Sequence, residues 1–387
     1  MAVADVVAPP LVVGHEWAVE LLGRGLTTGH LSQAYLFAGP PRVGKTALAL
    51  YLARALNCLD EKARPCGMCS ACRKIERGIH PDVRLVEEQE GSIGIDQIRA
   101  LQREMALTPF EGRWRVYILC DFQQATAEAA NCLLKTLEEP PPKVVLILTA
   151  TQLELLLPTI VSRCQVLHLR ALSVPRIVQA LQAHWGVEPT QAQLLAKLSQ
   201  GRIGWAIVAA GDDDLLRKRE KYLVALEQAL HQSRTERIGL AQQLCQNPEA
   251  LPDVLDAWQG WWRDMLLAKS GNVSAMVNVD RERTVRNEAQ CLAFDQIVGG
   301  LRAMEDCAQQ VEQNVNPCLA LEVLLLRLSR QRDGETSPRQ RDSETSPRQR
   351  DGETLPRRRD SVSSIGDRYS IPLRRGRYSI PLRRDRN

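Results

Sequence analysis

An eight-residue segment with the pattern G-x-x-x-x-G-K-T constrains the fold of this chain more than any other part of the sequence. The segment is Gly39-Pro40-Pro41-Arg42-Val43-Gly44-Lys45-Thr46, and it lies between the strand-like run AYLFA and the helix-like run TALALYLARAL. In this order, backbone N–H groups of the loop surround a phosphate, the lysine reaches the β- and γ-oxygens, and the threonine can hold Mg²⁺. We therefore expect a parallel sheet covered by helices, with ATP bound at this loop.

Strand-like and helix-like segments alternate up to about residue 170, as in a parallel sheet covered by helices. The predicted strands are Ala34–Ala38, Asp82–Val86, Arg115–Cys120, Val144–Thr149 and Gln165–Leu169. The predicted helices are Trp17–Thr28, Lys45–Leu56, Ile95–Leu107 and Ala127–Glu138. Three of the strand segments, VYILC, VVLILT and QVLHL, are rich in Val, Ile and Leu, which is typical of strands buried on both faces.

From Ser173 to Leu328 the strand patterns end and apolar residues recur at helical spacing, as in IVQALQAHW and CLALEVLLLRL. We interpret this region as a small helical module at about 173–210 and a separate helical bundle at about 215–328. The acidic run around Asp212–Asp214 is the predicted joint between them.

Residues 329–387 differ in composition from the rest of the chain. RQRDGETSP, RQRDSETSP and RQRDGETLP follow one another with a nine-residue period, and RYSIPLRR occurs twice. The segment contains 16 arginines and 9 acidic residues, so it carries a charge of +7 and leaves −3 for residues 1–328. Its composition predicts a disordered tail, with nucleic-acid binding as an alternative, and the acidic body argues against direct DNA binding.

The localisation predicted from the sequence is cytoplasmic. No apolar run approaches the roughly twenty residues of a membrane span, and the apolar N-terminus lacks the basic flank of a signal peptide. Eleven cysteines, an odd number, without a secretion signal indicate a reducing compartment.

Four of those cysteines form a cluster with the spacing C-x7-C-x2-C-x2-C. They are Cys58, Cys66, Cys69 and Cys72, and turn-forming residues separate them. Four sulfur ligands at short spacing suit a tetrahedral zinc ion, and with no open position implied the zinc should be structural. Buried thiols or a redox role are the alternatives.

ATP hydrolysis needs carboxylates at the end of a strand that follows the phosphate loop. Here the strand VYIL is followed by Cys120 and Asp121, so a single acid is available. Asp121 is the candidate magnesium ligand of an impaired site.

Several segments, in this order, resemble the DnaX/delta-prime family of bacterial clamp-loader subunits. They are VVGHEWAVELL, HLSQAYLFAGPPRVGKT, the four-cysteine loop, HPDV, ANCLLKTLEEPPP, TIVSRCQVLHL and NVNPCLALEVLLLRL, and together they span about residues 10–328. The resemblance implies an AAA+ domain with a RecA-like parallel sheet and a zinc-binding insertion over residues 1–170. A helical lid (171–212), an all-α collar (213–328) and the Arg-rich tail (329–387) would follow.

The same resemblance implies a hetero-pentamer with gamma/tau and delta subunits, which loads the sliding clamp on primer–template DNA through the assembled complex. In such a ring Arg163 of the SRC segment would act in trans as an arginine finger at the neighbour's ATP site. The alternative is that Arg163 only pairs with a surface acid. The first sensor would be Thr149 or Thr151, and the resemblance does not choose between them.

Departures from the family pattern favour delta-prime over the hydrolysing gamma/tau subunit. The active subunit would carry Asp-Glu where this chain has Cys120-Asp121, and Gly204 replaces the second-sensor arginine. Arg202 is a candidate substitute, although it is offset on the helix. We expect weak or non-catalytic ATP binding within the DNA-directed DNA polymerase holoenzyme. A working ATPase motor, a small-molecule phosphoryl transferase and a zinc-dependent nucleic-acid binder are the alternatives.

Overall fold

The computed structural model describes residues 12–89, 91–312 and 316–328, and the N-terminal half of this part contains a parallel sheet. Its five strands are β1 (Ala34–Ala38), β2 (Val83–Val86), β3 (Arg115–Leu119), β4 (Val144–Ala150) and β5 (Gln165–His168). They are arranged in the order β2-β3-β4-β1-β5, and every neighbouring pair is parallel. Because β4 lies between β1 and β3, the carboxyl ends of these three strands meet where the phosphate loop begins.

Six helices accompany the sheet. They are α1 (Glu16–Thr28), α2 (Lys45–Asn57), α3 (Ser70–Glu76), α4 (Ile95–Met105), α5 (Ala127–Glu138) and α6 (Pro158–Val161). All residues of β1 and β4 are buried, as expected for central strands covered on both faces. One apolar cluster lies on each side of the sheet, with α4 and α5 on one side and α1 and α2 on the other.

The remaining described elements are helical. Three short helices come first, α7 (Val174–Trp185), α8 (Pro189–Leu198) and α9 (Ile203–Gly211). A bundle follows, with α10 (Asp213–His231), α11 (Arg234–Leu244), α12 (Leu251–Lys269), α13 (Glu282–Cys291), α14 (Phe294–Glu312) and α15 (Pro317–Arg327). Only Asp212 separates α9 from α10, and its side chain accepts a hydrogen bond from the Asp214 N–H at 2.9 Å. The predicted domain boundaries stay predictions.

Helix α12 is the centre of the bundle core. Trp258, Trp261 and Trp262 on this helix are among the largest fully or almost fully buried side chains. The Trp262 ring lies against Gly300 of α14, where an added Cβ would be 2.1 Å from the indole nitrogen. Close helix approach at this glycine is therefore part of the packing of α12 on α14.

The sequence-predicted elements are present, with shifts of at most two residues at their ends. The largest shift is in α4, which ends at Met105 and not at Leu107. Leu107 is 61% exposed, so it does not belong to the buried face of the helix. Among the described helices, none combines the length and apolar composition that a bilayer crossing requires. The predicted tail at 329–387 lies outside the described residues.

Candidate functional site

The phosphate loop connects β1 to α2 as its sequence predicts. The Gly39 N–H donates to the Ala150 carbonyl at 3.1 Å, which ties the start of the loop to the end of β4. A Cβ at Gly39 would lie 2.2 Å from the Leu169 carbonyl oxygen, so only glycine fits at this point. Gly44 precedes the first turn of α2, and its successors Lys45 and Thr46 begin the helix.

Lys45 is buried and turned toward its own loop. Its Nζ donates to the carbonyl oxygens of Gly39 at 2.7 Å and Pro40 at 3.1 Å. Burial lowers the pKa of the Lys45 ammonium, although the Asp121 carboxylate opposes that shift. The ammonium is therefore held at the loop by groups that a phosphate would replace.

His15 contacts the phosphate loop at Val43, near the end of the loop. Its Nε2 lies 3.1 Å from the Val43 carbonyl oxygen. Because a carbonyl oxygen only accepts, Nε2 carries the proton of this hydrogen bond. Burial lowers the pKa of His15, which favours the neutral imidazole. The sequence reasoning assigned His15 no role, although it stands in the segment VVGHEWAVELL.

The end of β3 brings Cys120 and Asp121 to the loop. Burial raises the pKa of the Cys120 thiol to about 12, and the nearby Thr46 side chain opposes that shift only weakly. Asp121 adopts a positive φ of 45°, and its N–H donates to the Thr149 hydroxyl at 2.9 Å. The residue that faces the candidate magnesium position of Thr46 is therefore a protonated thiol.

The two candidate sensor threonines differ in environment. Thr149 is 1% exposed and its hydroxyl is engaged by the Asp121 N–H. Thr151 follows β4, is partly buried, and donates its N–H to Gln123 Oε1 at 3.4 Å. Thr149 thus joins the ends of two strands, whereas the Thr151 side chain has no such constraint among the described contacts.

Helix α9 lies directly against the phosphate loop. The Gly204 N–H donates to the Arg42 carbonyl oxygen at 2.9 Å, and a Cβ at Gly204 would lie 2.8 Å from the same oxygen. Arg202, the candidate substitute for the second-sensor arginine, makes its contacts elsewhere. Its Nη2 pairs with Asp256 of α12 at 2.9 Å, and its Nε donates to the Ser199 carbonyl, so its guanidinium is directed toward the helical bundle.

The four clustered cysteines converge. Their sulfur atoms all lie within 4.8 Å of one another, with Cys58 and Cys72 buried and Cys66 and Cys69 partly buried. The backbone N–H groups of Cys66, Cys69 and Cys72 donate to Cys58, Cys66 and Cys69, respectively, each at 3.4 Å. This cluster can hold a metal ion, since four thiolates at this spacing can surround one cation.

Ionisation differs among these thiols. Burial opposes ionisation of Cys69, but N–H groups of Leu59 and Cys72 donate to its sulfur and lower its pKa to about 6. Burial raises the pKa of Cys58 and Cys72. Backbone donors therefore favour the thiolate form of Cys69, which is the form that binds a metal ion.

The HPDV segment anchors the loop before β3. The Asp82 carboxylate is buried and accepts hydrogen bonds from the N–H groups of Phe110, Glu111 and Gly112 at 2.7–2.8 Å. His80 is also buried, and its Nδ1 accepts from the Asp82 N–H at 3.1 Å. The HPDV segment therefore has a structural role, which the sequence pattern alone did not indicate.

Arg163 lies between the end of α6 and the start of β5. Its Nη2 pairs with Glu138 Oε1 at 2.5 Å, and its Nη1 donates to the Thr159 carbonyl at 2.9 Å. The side chain is 35% exposed. Within the single chain, Arg163 therefore pairs with a surface acid, as the alternative interpretation expects. Some N–H groups of its guanidinium are still available for another partner.

A phosphate loop after the first strand of a 2-3-4-1-5 parallel sheet, followed by helices, defines an AAA+-type fold. Two family models match the chain, "DNA polymerase III, delta subunit" over residues 14–173 and "DNA polymerase III, delta subunit, C terminal" over 213–330. These matches, together with the 32% identity to DNA polymerase III subunit delta' of Bacillus subtilis, show that the chain belongs to the DNA polymerase III delta-prime family.

The chain is similar to several proteins and to solved structures. The chain is 32% identical to DNA polymerase III subunit delta' of Bacillus subtilis, over 80% of this chain and 94% of that protein. It is 38% identical to DNA polymerase III subunit tau of Escherichia coli, over 52% of this chain and 33% of that protein. A gamma-subunit-related protein of Thermotoga maritima is a similar solved structure, with a TM-score of 0.46, 18% identity and coverage of 79% and 98%.

Proposed function

We propose that this chain is the delta-prime-like subunit of a DNA polymerase III clamp loader in the bacterial cytoplasm. It would join gamma/tau and delta subunits in a hetero-pentamer that loads the sliding clamp on primed DNA. The chain would bind ATP without efficient hydrolysis, and Arg163 would complete the ATP site of a neighbouring subunit. Contact with primer–template DNA would be made through the assembled complex. Its own activity within the polymerase holoenzyme would be at most a weak ATPase.

One observation carries the proposal. The chain has a partly exposed arginine that can act on a neighbouring subunit, whereas its own nucleotide site (the home site) is altered. Arg163 is partly exposed beside α6. By the family resemblance, Cys120 stands where the hydrolysing subunit has a magnesium-binding acid, and Gly204 stands where it has a γ-phosphate sensor. An arginine contributes most when it reaches the phosphoryl group across an interface, whereas hydrolysis needs the acids and sensors of the home site. The chain therefore has the parts to assist a neighbour and lacks two of the parts to cleave ATP itself.

The home site fits a nucleotide better than it fits magnesium. Lys45 and the N–H groups of the loop can hold phosphate oxygens. The Thr46 hydroxyl and the Asp121 carboxylate are suitable Mg²⁺ donors, but the Cys120 thiol, with a pKa of about 12, is not. We assign nucleotide binding chiefly to Lys45 and the loop, with only a weak contribution from Mg²⁺.

We assign a structural zinc ion to Cys58, Cys66, Cys69 and Cys72. The mutual distances of at most 4.8 Å suit four thiolates around one tetrahedral ion. The N–H···S contacts of three of the cysteines resemble those that stabilise thiolates next to a metal. Because all four donors come from the protein, the ion would stabilise the segment between α2 and α3 without reacting.

Exposed apolar side chains support assembly into a ring. Leu155 and Leu157, close to Arg163 in sequence, are 53% and 36% exposed. On α15, Leu319, Val323 and Leu326 recur at helical spacing and are 57%, 40% and 36% exposed. Neighbouring subunits would cover both surfaces, one beside the finger and one in the collar.

The test is reconstitution of the complex with the gamma/tau and delta subunits of the same organism. Arg163→Ala should lower DNA-stimulated ATP turnover at the neighbouring subunit's site by roughly three orders of magnitude or more, while ATP affinity of this chain stays unchanged. Arg286→Ala is a matched control, because Arg286 is also an exposed arginine paired with an acid, Glu282. Unchanged turnover with Arg163→Ala would contradict the finger role.

The motor alternative makes a different prediction for the purified chain. A gamma/tau-like subunit would hydrolyse ATP in a ring of its own kind, and Lys45→Ala would abolish that activity. For the proposed role, we expect the complex to keep most of its turnover when only this chain carries Lys45→Ala.

A further inference from the structure

The guanidinium of Arg163 is held by two helices from distant parts of the sequence. Its Nη1 donates to the Thr159 carbonyl of α6 at 2.9 Å, and its Nη2 contacts Glu138 Oε1 at 2.5 Å. Glu138 is the last residue of α5, where the carbonyls at the end of the helix also favour a cation. The side chain is thereby fixed at its far end as well as at its backbone.

The backbone beneath the two residues is firmly anchored. The Arg163 N–H donates to the Ile160 carbonyl at 3.1 Å, and Ile160 is fully buried. Leu137, next to Glu138, is 6% exposed, and Pro140 follows the end of α5. The position of each Cα is therefore set by packing, and only the rotamer of the arginine is left for the ion pair to determine.

The two contacts leave donors for a ligand. Arginine has five N–H groups, and the contacts to Thr159 and Glu138 use one on each Nη atom. Three N–H groups are left, one on each Nη and one on Nε. A phosphate can therefore bind the guanidinium while Glu138 stays in contact with it.

The strength of the Arg163–Glu138 ion pair determines whether the pair orients the Arg163 side chain or keeps it from the neighbouring subunit's nucleotide. The side chains of Arg163 and Glu138 are 35% and 49% exposed, and exposed ion pairs shift an equilibrium by roughly fivefold at most. That is too little to keep the guanidinium from a triphosphate. It offsets only part of the entropy lost when a long arginine side chain adopts one rotamer.

We infer that Glu138 is a positioning residue, which holds the Arg163 guanidinium in the orientation used at the neighbouring subunit's nucleotide. The inference rests on the proposed trans role of Arg163 and adds a residue to it. Glu138 contacts neither the nucleotide nor the reacting atoms; it acts through Arg163 alone.

The experiment uses the reconstituted complex with full-length chains and measures partner ATP turnover with Glu138→Gln. We expect kcat to fall roughly two- to fivefold with KM unchanged, because the finger acts in the transition state. The deficit should shrink as ionic strength rises, since salt screens the charge of the wild-type pair and a packing defect would persist. Glu139→Gln is the matched control: Glu139 is adjacent, exposed and forms no ion pair within the described residues.

A double variant separates the inference from the proposed function. Glu138→Gln combined with Arg163→Ala should have the same turnover as Arg163→Ala alone. If Arg163→Ala lowers turnover and Glu138→Gln behaves like Glu139→Gln, the positioning role is wrong and the finger role stands. Faster turnover with Glu138→Gln would also overturn it, because Glu138 would then restrain the finger. If Arg163→Ala has no effect, the proposed function itself fails. Equal thermal unfolding of all single variants verifies that folding is unchanged.

Discussion

Restoring a side chain at Gly204 should weaken the protein, although the sequence pattern suggests that an arginine there would restore a sensor. Gly204 begins the contact between α9 and the phosphate loop, through its N–H bond of 2.9 Å to the Arg42 carbonyl. A Cβ at this position would lie 2.8 Å from that oxygen and 3.5 Å from the Arg42 Cβ. Both Gly204→Ala and Gly204→Arg therefore require α9 or the loop to move.

The change in the free energy of unfolding for Gly204→Ala is the sum of three contributions. Inserting an atom into a packed contact costs about 1–3 kcal/mol. Loss of the hydrogen bond removes about 1 kcal/mol, and the better helix propensity of alanine returns about 1 kcal/mol. We therefore expect Gly204→Ala to lower the free energy of unfolding by about 1–3 kcal/mol. Gly204→Arg should do so at least as strongly and should not tighten ATP binding.

The assay is equilibrium denaturation together with ATP titration, and the control lies in the same helix. A Cβ at Gly211, the last residue of α9, meets nothing within 4 Å. Gly211→Ala should therefore be neutral or stabilise by up to about 1 kcal/mol. The reasoning is refuted if Gly204→Ala is as stable as Gly211→Ala, or if Gly204→Arg tightens ATP binding tenfold or more.

Three further predictions concern the other sites. Cys66→Ser should reduce zinc from one ion per chain to a substoichiometric amount, measured by elemental analysis of purified protein; full retention would contradict a four-thiolate site. ATP affinity should change by less than about threefold between Mg²⁺ and EDTA, whereas Cys120→Asp should make it magnesium-dependent, because a hard carboxylate replaces the thiol. Burial opposes ionisation of Asp82, but N–H groups of the Phe110–Gly112 loop lower its pKa, so its stabilisation is complete above about pH 4 and is lost as pH falls through the lowered value. Asp82→Asn should thus cost about 3 kcal/mol at pH 7 and much less in acid, measured by denaturation at both pH values.

Much of the sheet domain could be predicted because its signals are local. Runs of Val, Ile and Leu mark β3 and β4, which are buried on both faces, and the glycine pattern fixes the junction of β1 and α2. The spacing of Cys58, Cys66, Cys69 and Cys72 was sufficient to predict that their sulfurs converge, since all four lie within fifteen residues. Each of these signals depends on residues that are close in sequence, so the sequence pattern alone is sufficient to predict the feature.

The contacts that the sequence did not reveal join residues far apart in the chain. Asp82 binds the N–H groups of a loop about thirty residues later, and backbone donors leave no mark in side-chain composition. Arg202 was a candidate for the nucleotide site, but its partner Asp256 is 54 residues away on α12. Helical periodicity identifies the buried face of α12, whereas the direction of the Arg202 side chain, which precedes α9, depends on which acid of α12 lies across the contact.

Binding and hydrolysis of ATP require different kinds of change in this site. To bind a phosphate, Lys45 must exchange the carbonyls of Gly39 and Pro40 for phosphate oxygens, which needs only a rotation of its own side chain. A buried ammonium gains more from an anion than from two neutral carbonyls, so this exchange is favourable. Hydrolysis would need a carboxylate in place of the Cys120 thiol and an arginine in place of Gly204, where the Arg42 carbonyl leaves no room for a Cβ. Rotation of the Lys45 side chain is enough for phosphate binding, whereas hydrolysis requires substitution of Cys120 and Gly204. This geometry therefore supports the proposed role, in which the chain binds ATP without cleaving it.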